Sequence, residues 1–328
     1  MRYDNSAIAG AAAPLPARSG LAIGSVGVLA FSFTVPMTRI AVADLDPLVV
    51  GIGRAVVAGV LAAAVLAAVR PRRPRGVQWA RLAAVAGGVV VGFPVLTSMA
   101  LTTTTAAHSA VVIGLLPAAT AVAAVARTRE SPPARFWWFA ALGALAVGVF
   151  SAAGRGSFGT PHVGDLLLVA AVVAGAIGYA EGGLLARELG AWQTISWALL
   201  LALPVTAAVT CTVVLRSAPH AGGTGWAAFA YLSGVSMFLG FFAWYRGLAI
   251  GPMTTVSQIQ LVQPVLSVLW SVALLGEHLT WALTLGAAAI IAVAACAVRS
   301  RPTTGPASPV APHRSAGPAR STPHRVSN

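Results

Sequence analysis

The chain has no lysine, two cysteines and eight acidic residues, and only 9% of its residues are charged. Without lysine there is no Gly-rich phosphate loop of the kind that hydrolyses nucleotide, because that loop needs the ammonium on the phosphates. Cys211 and Cys296 stand in separate apolar runs, with neither zinc-ligand spacing nor an external disulfide framework. Both read as small apolar packing residues. The acids are scattered, so paired carboxylates, a metal cluster or a Ser/His arrangement at depth are lacking, which argues against an intramembrane enzyme. No cofactor or metal is implied.

What the chain does have is hydrophobic length. A composition of 57% hydrophobic residues and a mean hydropathy of +0.82 belong to a polytopic, all-α integral membrane protein. A spanning helix needs about 20 residues of low charge. Breaks at Gly, Pro and charge clusters delimit ten candidates: 20–42, 47–69, 79–101, 104–126, 135–153, 163–186, 191–215, 226–249, 254–275 and 280–298. Connections are short. Residues 1–19 read as a disordered cytoplasmic tail, not a signal peptide, and 299–328 as a second, basic, disordered cytoplasmic tail.

The formal net charge is +13, and all 21 basic residues are arginine. With the N-terminus inside, the external loops hold only Arg155 and Arg216, and Arg39 and Arg54 fall within spans. The rest lie in cytoplasmic loops, tails and helix ends, as the positive-inside rule expects for an even number of helices with both termini cytoplasmic. The basicity is therefore topological. It implies a lipid bilayer as partner and no nucleic acid; a homodimer stays open.

One signature occurs twice. Pro117 and Glu130 are thirteen residues apart, Pro264 and Glu277 are thirteen apart, and the two pairs are offset by 147 residues. Each Glu opens a polar hinge into a further apolar span. The first half covers 20–153 and the second 163–298, with five spans in each. An odd number makes the second copy enter the membrane from the opposite side, which is the inverted repeat of an alternating-access transporter.

Four segments bring a family resemblance into focus. DPLVVGIGRAVVAGVLAAAV (46–65) resembles the second helix of the drug/metabolite transporter superfamily, EamA type. SAVVIGLLPAATAVAAVARTRE (109–130) is similar to its fourth helix, and TVSQIQLVQPVLSVLWSVALLGE (255–277) to its ninth. GDLLLVAAVVAGAIGYAEGGLLAREL (164–189) resembles the start of the second repeat. Arg129 stands where the second copy has Gly276, and span 9 lacks the basic residues that would hold a phosphorylated sugar. The resemblance implies a secondary transporter, exporting small metabolites such as amino acids or drug-like solutes across the inner (cytoplasmic) cell membrane. A membrane sensor or scaffold without transport is the alternative.

Polar groups within spans mark candidate paths, because they are expensive in hydrocarbon and turn toward protein or water. Span 9 carries Ser257, Gln260, Gln263, Ser267 and Ser271 on one helical face. Span 1 places Ser25, Ser32, Pro36 and Arg39 on a similar face. Arg54 lies about 10–12 Å into span 2 by helical rise, suited to a substrate carboxylate or, with Asp44 and Asp46 above it, to anchoring. Tyr179 offers a ring to an amphipathic solute. Glu181 is the acid placed clearly within a span, a candidate for proton coupling if burial raises its affinity for the proton. Pro36, Pro94, Pro117, Pro204 and Pro264 interrupt spans and free backbone carbonyls. His108 reads as a packed or hydrogen-bonded side chain, and Gly175, Gly178, Gly182 and Gly183 as a face for close helix approach.

Overall fold

The computed structural model describes residues 17–128, 133–153, 162–250 and 259–299, and all of their regular structure is helical. Hydrocarbon offers no hydrogen bonds to the backbone, so an apolar run satisfies its N–H and C=O groups internally as helix. The segments are α1 (Ser19–Asp44), α2 (Val49–Val69), α3 (Val77–Ala100), α4 (Ala106–Arg127), α6 (Val163–Leu189), α7 (Ala191–Arg216) and α8 (Gly223–Ile250), with α5 (Ala134–Ala153) between α4 and α6. The chain closes with α9 (Gln260–Leu275) and α10 (Trp281–Arg299). Seven of these, all but α5, α9 and α10, are long and apolar enough to cross a membrane, and α9 and Leu283–Val293 within α10 are shorter apolar helices.

Glycine makes the sharp ends. Gly190 joins α6 to α7 at φ +99°, and Gly276 closes α9 at φ +64°, its N–H bonding the Val272 carbonyl. Both are conformations that a Cβ disfavours.

Helix pairing follows a two-fold pattern. α1 packs on α8 as α6 packs on α3; α2 pairs with α7, α4 with α9 and α5 with α10. The irregularities repeat as well. A wide, π-helical stretch interrupts α3 at Ala86–Gly92 and α8 at Tyr231–Leu239. α4 loosens at Gly114 and Leu115, three and two residues before Pro117, and α9 opens with a tight turn at Gln260–Val262 just before Pro264. α2 has its own wide turn at Val49–Gly53.

Proline explains most of these breaks. Its ring removes a backbone donor and leaves the carbonyl four residues earlier unclaimed. α1 is interrupted at Phe33, ahead of Pro36, and the Ser32 carbonyl accepts the Ser267 hydroxyl from α9 at 2.7 Å. Pro94 follows the wide stretch of α3. Pro204 corrects the expectation of five interruptions, because α7 runs through it as continuous helix.

Small residues set the closest approach. A Cβ at Gly178 would stand 2.7 Å from Val89 Cγ1 and 2.9 Å from its backbone nitrogen, so α3 and α6 meet only because glycine is there. The two cysteines are another correction: both are exposed on the bundle surface, not packed within it. Trp137, Trp138, Trp226 and Trp281 are exposed near helix ends, where indole rings favour the membrane interface.

Candidate functional site

A central pocket forms where seven helices from both halves converge. α1 contributes Phe31, Thr34 and Val35, α2 Arg54, α3 Phe93 and Pro94, and α4 Ile113. From the second half come Gly175 and Tyr179 of α6, Ser236, Met237 and Phe241 of α8, and Gln263 of α9. A smaller recess continues from it between α4 and α9, sharing Val35, Ile113 and Gln263 and adding Gln260, Ser267 and both Pro117 and Pro264. Room within the central pocket is about 30 Å³ and within the recess about 10 Å³. That is space for a water or two.

Arg54 dominates the chemistry. It is 1% exposed, its Nε has no hydrogen-bond partner, and no carboxylate pairs with it among the described residues. The acids expected to anchor it do other work. Asp44 Oδ2 accepts the Gly222 N–H at 3.3 Å, and Asp46 Oδ1 accepts the Leu48 N–H at 2.8 Å. The pocket's other polar groups are neutral: Thr34 and Ser236 share a hydrogen bond of 2.8 Å, and the Gln263 Oε1 and Gln260 Nε2 atoms are buried without partners. Phe31, Tyr179 and Phe241 form an aromatic wall, with ring centroids 4.9 Å apart for Phe31–Phe241 and 5.9 Å for Tyr179–Phe241.

The structure thus brings Arg54, Tyr179, Gln260 and Gln263 to one cavity system, with Ser267 at its edge. Ser32 stands apart. Its hydroxyl donates to the Leu29 carbonyl and accepts the Trp270 indole N–H at 3.0 Å, so it ties α1 to α9 together with Ser267. Ser257 and Glu130 lie outside the described residues. Thr34, Ser236 and Phe31 are lining residues that the sequence did not single out as a site. Thr34 is two residues from Ser32, about 200° around a helix, so it lies off the face that Ser32, Pro36 and Arg39 mark, and Ser236 sits in the wide stretch of α8.

Charged groups gather at the two ends of the bundle. At one end Glu181 of α6 is buried between Arg81 of α3, at 2.8 Å, and Arg127 of α4, while Arg81 also reaches Glu188 at 2.5 Å. Arg187, six residues after Glu181, is exposed. At the opposite end the Glu277 carboxylate accepts the Ala106 and Ala107 N–H groups, each at 2.7 Å, and so caps α4 from the close of α9. A carboxylate at a helix start also meets the favourable end of the helix dipole. Near it His108 and Asp165 join α4 to α6 at 2.7 Å, and Arg39 donates to the Leu101 carbonyl at 2.6 Å.

Comparison with known proteins agrees with this architecture. Residues 18–152 and 162–299 each match the model of the EamA-like transporter family. An uncharacterized transporter, YdeK, of Bacillus subtilis (strain 168) is 43% identical over 278 residues, covering 85% of this chain and 95% of the relative. A solved crystal structure superposes with a TM-score of 0.60 at 22% identity, covering 85% of this chain and 96% of that one. That likeness concerns the fold.

Proposed function

Because the chain belongs to the EamA-like transporter family, we propose that it is a secondary transporter that moves small amphipathic metabolites by alternating access through the central pocket. It is a multi-pass membrane protein with two family repeats. In this reading the ten helical segments all span the inner cell membrane, both termini face the cytoplasm, and the repeats are inverted. The direction is export, and amino acids or related solutes are the substrate class. The protein is not an enzyme.

One observation carries the proposal. The pocket draws on both halves, holds a buried Arg54 with neutral polar and aromatic neighbours, and is too small for a solute while closed. Access then depends on one half rocking against the other. The two charged ends would act in turn. Separation of α4 from α9 breaks the Glu277 cap at one end, and separation of α3, α4 and α6 breaks the Glu181 pairs at the other.

Glu181 is the candidate coupling group. Protonation would remove the charge that holds Arg81 and Arg127 together, linking a proton to the release of that end. The deciding experiment is counterflow in reconstituted vesicles, screened with amino acids and neutral or charged analogues. Saturable exchange whose KM rises in Gln263→Leu supports transport through this pocket. Solute binding without flux would instead make the protein a sensor or scaffold.

A further inference from the structure

We infer that the central pocket selects solutes carrying a single carboxylate, held by the Arg54 guanidinium, and rejects organic cations. This rests on the transport reading of the same pocket. A buried charge without a partner is strongly unfavourable, and within a membrane such a residue faces a pathway or a counter-ion. Arg54 is 1% exposed with Nε unpartnered. Asp44 and Asp46 accept the backbone N–H groups of Gly222 and Leu48 and form no ion pair with Arg54. The lining contains no carboxylate. The missing partner is therefore an anion brought by the solute.

The number of charges narrows the class. One planar guanidinium matches the two oxygens of one carboxylate as a fork. A phosphate monoester would bring a second negative charge, and the pocket has no second cation for it. An organic cation would add charge of the same sign to a buried arginine. Beside Arg54, the Phe31, Tyr179 and Phe241 rings give the solute body an apolar surface. The unpartnered Gln263 Oε1 would accept an N–H or O–H adjacent to the carboxylate, so α-amino and α-hydroxy acids lie within the class and gain from it.

The test uses the full-length protein in phosphatidylethanolamine/phosphatidylglycerol vesicles and four phenyl-bearing probes: 3-phenylpropanoate, its amide, 3-phenylpropylamine and 2-phenylethyl phosphate. Tryptophan fluorescence reports binding. The acid is expected to bind at least about tenfold more tightly than the other three, the scale of a charge-assisted, two-point hydrogen bond. Arg54→Gln should bring the acid level with the amide, and Arg54→Lys should keep part of the preference. Wild-type affinities decide the question even if a variant does not fold. An amide or amine that matches the acid, or an acid that does not bind saturably, overturns the carboxylate assignment. If the binding that remains is abolished by Gln263→Leu with Thr34→Val, the pocket stands and only its charge preference falls. If binding ignores both substitutions, the transport reading of the pocket falls with it.

Discussion

Gly182 of α6 and Tyr245 of α8 fit together only because residue 182 has no side chain: a Cβ there would overlap the Tyr245 hydroxyl. Tyr245 is fully buried, and its hydroxyl has no hydrogen-bond partner. The contact thus sets the spacing between α6 and α8 directly behind the aromatic wall, since the Tyr245 ring packs 5.3 Å from Phe241. Gly182→Ala is expected to destabilise the protein by about 1–3 kcal/mol through overpacking. Tyr245→Phe removes the overlapping oxygen but leaves the ring carbon Cζ 2.5 Å from that Cβ, so it should recover only part of the loss. Thermal unfolding in detergent measures both, and a single Gly182→Ala variant as stable as the parent would show that the two helices move apart freely.

The glutamines of α9 face the recess with unpaired polar atoms. Replacing Gln260 or Gln263 by Leu removes a hydrogen-bonding group without burdening the helix in lipid. Each substitution should raise KM by roughly 2–10-fold, the value of one neutral hydrogen bond, at unchanged membrane abundance. Parent-like KM in both variants would make the polar stripe a packing feature.

Glu181 holds two arginines from neighbouring helices. With Gln in its place, the side chain keeps its shape but cannot take up or release a proton. Net transport driven by a pH gradient is expected to collapse, while counterflow of labelled against unlabelled solute survives. Accumulation against a gradient at the parent level in Glu181→Gln would assign the coupling elsewhere and leave Glu181 as the anchor of Arg81 and Arg127.

Topology has an independent check. Reporter tags at residues 1 and 328 should both read cytoplasmic, and a tag near Gly223 should read external. Termini on opposite sides would remove the inverted arrangement and with it the alternation of the Glu181 and Glu277 ends.

Much of the fold was legible because membrane helices announce themselves by length and apolarity. The Pro–Glu spacing at 117/130 and 264/277 marked the duplication without any structural information. Arg54 and the two glutamines stood out because charge and amide groups are rare at such depth. Thr34 and Ser236 did not, for a geometric reason. Thr34 lies about 200° around a regular helix from Ser32, off the polar face read there, and Ser236 stands in the wide stretch Tyr231–Leu239, where a period of 3.6 does not hold. The ion pairs of Glu181 were hidden for another reason: Arg81 is 100 residues away along the chain, and only the packing of α3 on α6 joins them.

The wide stretches at Ala86–Gly92 and Tyr231–Leu239 occupy corresponding places in the two halves. Each stretch also reaches the pocket, through Val89 in the first half and through Ser236 and Met237 in the second. A wide turn accommodates one more residue than an ordinary one and re-aims the side chains that follow. The walls that α3 and α8 present to the cavity are therefore set by the position of these turns as much as by the residues on them.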